Sequence, residues 1–111
     1  MSHRRLTILA ALVVALFVAM SSFAFAATKS VGVKKAGTKY LFTPATLKIK
    51  KGDTVKWSWS GSVPHNVSGK GFKSKSGNKV SFSHKFTTAG TFKVICTFHQ
   101  ALGQKMVIKV S

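Results

Sequence analysis

Acid is almost missing from this chain. Of its 111 residues only Asp53 carries a carboxylate side chain, against 18 lysines and arginines, for a formal charge of +17. Without a second acid or an evident oxyanion loop, a hydrolase built on a Cys–His pair is not expected, and the chain does not read as an enzyme. Arginine stops at Arg4 and Arg5, so the other sixteen basic residues are all lysine. They lack the planar fork that reads bases and grips phosphates, which argues against nucleic acid as a partner despite the charge. Cysteine is reduced to Cys96, which excludes an internal disulfide. No stretch of ten or more residues carries a helical apolar period, so a helical domain is not expected either.

What is present begins with a leader. Met1 to Arg5 is a short basic start, positions 6–20 are apolar apart from Thr7, and Ala24-Phe25-Ala26 supplies the small residues of a cleavage site. That order predicts a secretory signal peptide over residues 1–26, cut after Ala26. The apolar run approaches the roughly 18 residues a membrane span needs, so retention as an anchor is the alternative. In both cases the remainder is exported, to a periplasmic or extracellular compartment. Residues 27–111 then form one domain of 85 residues, small enough to benefit from an added staple. An unpaired thiol outside the cytoplasm also needs a reason, and a bound metal would answer both.

The patterning after residue 27 is β throughout. Val55, Trp57 and Trp59 alternate with polar residues, as do Val80, Phe82, His84 and Phe86. Phe92, Val94 and Cys96 repeat the period, and Met106, Ile108 and Val110 close the chain in the same phase. Shorter strands are expected near 31–33, 40–42, 47–50 and 65–67. Turn signals fall at Lys51-Gly52-Asp53, Ser60-Gly61-Ser62, Ser76-Gly77-Asn78 and Ala89-Gly90. The Gly-, Ser- and Lys-rich stretch 69–79 reads as a mobile surface loop. Many short strands at regular spacing predict an all-β Greek-key sandwich or small barrel.

The chemistry gathers near the C-terminus. Cys96 ends one strand, the next begins near Lys105, and His99, Gln104 and Met106 lie between or just beyond. His65 follows Pro64, which restrains the backbone before it. Two imidazoles and a thiolate with a weak axial ligand make a set suited to copper. A C-x-x-H spacing alone is a weak signal, since a lone cysteine is commonly a buried small hydrophobe. His84 reads as a partly buried histidine, and Trp57 and Trp59 as core aromatics.

Several motifs in order strengthen the copper reading. The runs Phe42-Thr43-Pro44-Ala45-Thr46-Leu47, Lys51-Gly52-Asp53-Thr54-Val55, Val63-Pro64-His65-Asn66-Val67 and Phe86-Thr87-Thr88-Ala89-Gly90-Thr91-Phe92 resemble successive segments of plastocyanins and amicyanin-like cupredoxins. Cys96-Thr97-Phe98-His99-Gln100 is similar to their ligand loop, with Phe98 where proline is common. The resemblance implies one type 1 copper held by His65, Cys96 and His99, and an electron carrier as the function. It implies that Asn66 ties the copper loops together, and that a patch of Pro64, Ala101, Leu102 and Gly103 around His99 passes electrons.

The axial position departs from the family pattern. Where plastocyanins place methionine this chain has Gln104, and Leu102-Gly103-Gln104-Lys105 resembles the axial-glutamine loop of stellacyanins. On the shorter amicyanin loop Leu102 would fall there, and Met106 is a third candidate although its phase points to the core. Gln104 is favoured, with a lower potential as its consequence. The expected partner is a redox protein with an acidic docking surface, approached by a monomer, and the lysines would also suit anionic membrane or cell-wall surfaces. The rival functions are extracellular copper buffering or delivery, and metal-free adhesion to anionic surfaces.

Overall fold

A computed structural model of the chain describes residues 25–111. Residues 1–24 of the expected leader thus lie outside the described residues. Among those described, no helix is long and apolar enough to cross a membrane. The described elements are β1 (Thr28–Ala36), β2 (Lys39–Thr43), β3 (Thr46–Ile49), β4 (Thr54–His65), β5 (Ser68–Gly69), β6 (Phe72–Lys73), β7 (Gly77–Lys85), β8 (Gly90–Ile95) and β9 (Lys105–Val110), with a 3-10 turn at Gln100–Leu102. They make two mixed sheets, ordered β2-β1-β4-β7 and β3-β9-β8-β5-β6. β1 runs parallel to β4 and β3 parallel to β9, while the other pairings are antiparallel. The all-β sandwich is as the alternation predicts.

The period-two residues form the layer between the sheets. Val55, Trp57 and Trp59 are buried on β4 while Lys56, Ser58 and Ser60 face out. Met106, Ile108 and Val110 do the same from β9. Trp57 is fully buried and bridges the layers: its ring lies 5.8 Å from those of Phe72 and Phe82, and its Nε1–H donates to Met106 Sδ at 3.3 Å. Truncating so large a buried ring costs about 3–5 kcal/mol. All sixteen lysines stand at exposed positions, so the charge forms a coat and none of it enters the core.

Three local expectations need correction. Ser60-Gly61-Ser62 is not a turn but lies inside β4, where the register changes: Ser60 pairs with Lys79 and His65 with Gly77, so five steps along β4 face two along β7. Small, flexible residues here absorb a bulge, which bends the strand and delivers His65 to its end. Ser76-Gly77-Asn78 opens β7 instead of turning the chain. The stretch 69–79 is not an open loop, because it contains the β5–β6 hairpin. Phe72 folds over Gly69, where any Cβ would strike its ring, and is buried in the core. Ser74 is buried too, its Oγ accepting the Val67 N–H at 2.8 Å while its own N–H donates to the Val67 carbonyl. Composition misled because these small polar residues satisfy backbone groups within the fold.

Candidate metal centre

The three expected ligands come from two chain segments that meet at one end of the sandwich. His65 closes β4 and is 4% exposed. Cys96 follows β8 directly and is fully buried, with no disulfide partner. The segment from Cys96 to Gln104 is a closed loop: the Cys96 N–H donates to the Gln104 carbonyl at 3.0 Å, and the Gln104 and Leu102 N–H groups both donate to the His99 carbonyl, at 3.1 and 3.0 Å. Gly103 adopts φ 91°, the left-handed region that favours glycine, and so lets the 3-10 turn reverse into β9. This pinning brings the side chains of positions 96, 99 and 104 together.

The donor atoms converge. His65 Nδ1 and His99 Nδ1 lie 3.2 Å apart, Cys96 Sγ is 3.7 Å from His99 Nδ1, and all three ligand atoms fall within 4.8 Å of one another. One ion could therefore reach all three donors at bonds of about 2 Å to nitrogen and about 2.3 Å to sulfur. Gln104 adds a fourth donor, its Oε1 lying 2.8 Å from His65 Nδ1 and 3.1 Å from His99 Nδ1. The Gln104 side chain is fully buried, and its Nε2 has no hydrogen-bond partner among the described residues. An oxygen, two nitrogens and a sulfur thus gather in one small space, a donor set suited to a cation. Burial is the main cause that holds the His65 pKa below its ordinary value, the Gln104 bond opposes it, and the charge of His99 adds to it. A neutral imidazole is the form that binds metal.

The other axial candidates are placed differently. Leu102 stands on the surface at 40% exposure, and the Met106 sulfur accepts the Trp57 indole N–H in the core. Asn66 is buried and links the two ligand segments: its Oδ1 accepts the Thr97 N–H at 2.8 Å, and its Nδ2 donates to Thr97 Oγ1 at 2.8 Å and to Ser76 Oγ at 3.4 Å. Pro64, Ala101 and Leu102 are exposed beside the half-buried His99 and Gly103. Phe98 adds a 51% exposed ring to that surface. His84 belongs elsewhere, stacked 4.4 Å from the Phe72 ring and edge-on to Phe86.

One contact was not legible in the sequence. Tyr40 packs 4.4 Å from the His99 ring and 5.3 Å from the His65 ring, with the Lys35 ammonium 5.9 Å from its own centroid. Trp59 meets His65 edge-on at 6.0 Å and fixes its own indole by donating to the Gly77 carbonyl at 2.8 Å. Both imidazoles are thus held by aromatic walls. A tyrosine in a short half-buried strand carries no pattern that separates it from ordinary packing.

A two-sheet sandwich with a largely buried histidine–cysteine–histidine cluster at one end fits a small copper-binding protein. Sequence and structural comparisons agree. Residues 27–111 match the copper-binding proteins of the plastocyanin/azurin family, and the chain belongs to that family. It is 33% identical to amicyanin-alpha of Methylorubrum extorquens over 86% of this chain and 92% of that protein. It is 34% identical to plastocyanin of Scenedesmus fuscus over 63% of this chain and 86% of the relative. Among solved structures, a purple cupredoxin from Nitrosopumilus maritimus superposes with a TM-score of 0.64 at 27% identity, covering 75% of this chain and 99% of that one. Copper is accordingly the cofactor, and His65, Cys96 and His99 are placed to hold it.

Proposed function

We propose that this chain is an exported one-electron carrier, cut after Ala26, whose domain 27–111 holds a type 1 copper on His65, Cys96 and His99 with Gln104 Oε1 as the axial donor. The observation that carries this reading is the convergence of Gln104 Oε1 on both imidazole Nδ1 atoms while its own amide nitrogen stays buried and unpartnered. The bound metal supplies a single-electron couple, and the chain supplies the rest. Asn66, Tyr40 and Trp59 hold the ligand side chains in position, which limits rearrangement when charge changes. Burial of His65, Cys96 and Gln104 excludes water. His99 is the ligand with residual exposure, so electrons enter and leave through the apolar surface of Pro64, Phe98, Ala101 and Leu102 around it.

Burial of three of the four donors favours electron carriage over copper delivery, because delivery needs ligands that an acceptor can reach and exchange. The lysine coat steers an acidic redox protein toward a monomeric carrier and would also hold the domain near anionic membrane or wall polymers. Stopped-flow mixing of the copper-loaded protein with an acidic electron-transfer protein tests this. Rapid exchange that slows as salt is added supports carriage. Copper loss to a chelator that outruns electron exchange would favour delivery instead.

A further inference from the structure

The only carboxylate side chain in the molecule sits at the end of β4 opposite His65 and bonds to backbone. Asp53 is 7% exposed; its Oδ1 accepts the Ala27 N–H at 2.9 Å and its Oδ2 the Lys50 N–H at 3.0 Å. The Ala27 carbonyl in turn accepts the Thr54 N–H at 2.9 Å. Ala27 is therefore clamped on both sides, immediately before β1, whereas Ala26 and Phe25 are exposed.

We infer that Asp53 is the receptor for the α-ammonium group of the processed chain. The inference rests on the cut proposed above. Hydrolysis adds water across the Ala26–Ala27 peptide bond: the leader departs with a new carboxylate, and Ala27 keeps its nitrogen as an α-ammonium. That nitrogen already lies at hydrogen-bond distance from Asp53 Oδ1, so the cut turns an amide donor into a charged one and strengthens the contact. Processing thereby anchors the first strand of the mature domain. The Asp53 carboxyl is prepared for a cation, since the Ala27 and then the Lys50 N–H hold its pKa below the ordinary value, with smaller help from the Lys29 and Lys50 charges. Lys29, Lys48, Lys50, Lys109 and the end of the chain at Ser111 line the same groove. Those lysines oppose protonation of the amine, so the test compares variants that share them.

Residues 27–111 contain every described strand and the whole family match, so they stand as a folding unit. The intact mass of protein exported from the full chain reads the cut by itself, and an N-terminus other than Ala27 refutes the leader reading. Copper-loaded protein that begins at Ala27 then tests the clasp separately. NMR titration of the α-amine should give a pKa about one unit higher in the wild type than in Asp53→Asn. Asp53 raises the folded amine pKa above its value in Asp53→Asn, so the Asp53 contribution is complete below the lower value and disappears as pH rises through the higher one. The stability lost in Asp53→Asn should consequently shrink between about pH 6.5 and about pH 9.5. Acetylating Ala27 in the wild type, which leaves Asp53 intact, should remove that pH dependence. Equal α-amine pKa values in the two proteins, or a loss in Asp53→Asn that does not change with pH, would overturn the inference and leave Asp53 a turn residue only.

Discussion

Replacing Gln104 by methionine exchanges one amide for a thioether at the centre and leaves the loop backbone unchanged. The Gln104 oxygen lies 2.8 and 3.1 Å from the two imidazole nitrogens, in a site with no solvent exposure at that side chain. An amide oxygen with about half a negative charge, about 3 Å from one added unit of charge, contributes roughly 2–3 kcal/mol at an effective dielectric constant of about 20. That attraction favours the oxidised state, and for a one-electron couple it corresponds to roughly 90–130 mV. A thioether lacks most of this charge, so Gln104→Met should raise the reduction potential by about that amount. The same change removes the buried Nε2, whose burial costs about 1–3 kcal/mol, and the Gln104–His65 hydrogen bond, worth about 1 kcal/mol, so the copper-free variant should be no less stable than the copper-free wild type. Voltammetry on the copper-loaded proteins and urea unfolding of the copper-free ones read the two effects. A potential and visible spectrum unchanged by the substitution would refute the axial role of Gln104.

Two further outcomes follow from contacts near and far from the metal. Asn66→Ala removes the bonds that join the His65 and Cys96 segments and leaves the Thr97 N–H without its acceptor; unfolding should show a loss of about 2–3 kcal/mol, with a broadened copper EPR signal. Burial between aromatic rings lowers the His84 pKa from 6.5, so the unfolded chain takes up its proton first as pH falls. The His84 contribution is therefore present above that value and is lost on acidification. His84→Phe should flatten the acid limb of stability in the copper-free protein, where His65 is common to both chains. An identical limb in wild type and variant would count against it.

How much of this could be read beforehand depended on the length scale of each signal. The alternation around Trp57 and Ile108 is a repeated pattern over a whole strand, so it survives as a prediction of buried faces. The cluster of His65, Cys96 and His99 was legible because it combines unusual residue types with ordered neighbouring motifs. The bulge between Ser60 and His65 was not, since Ser-Gly-Ser serves a bend within a strand as well as a turn between strands. Phe72 over Gly69 was hidden for a related reason: one ring fills the space a glycine leaves, inside a segment whose average composition is that of a loop. Asn66 and Thr97 pair over 31 positions and Tyr40 reaches His99 over a longer interval, distances at which local pattern says nothing.

The central claim is that one thiolate and two imidazoles share a single metal ion. Titrating Cu(II) into the metal-free domain and following visible absorption and EPR measures this directly. The account predicts saturation at about one equivalent, with an intense visible band and a narrow copper hyperfine splitting, both lost in Cys96→Ser. A weak band that does not depend on Cys96 would contradict it.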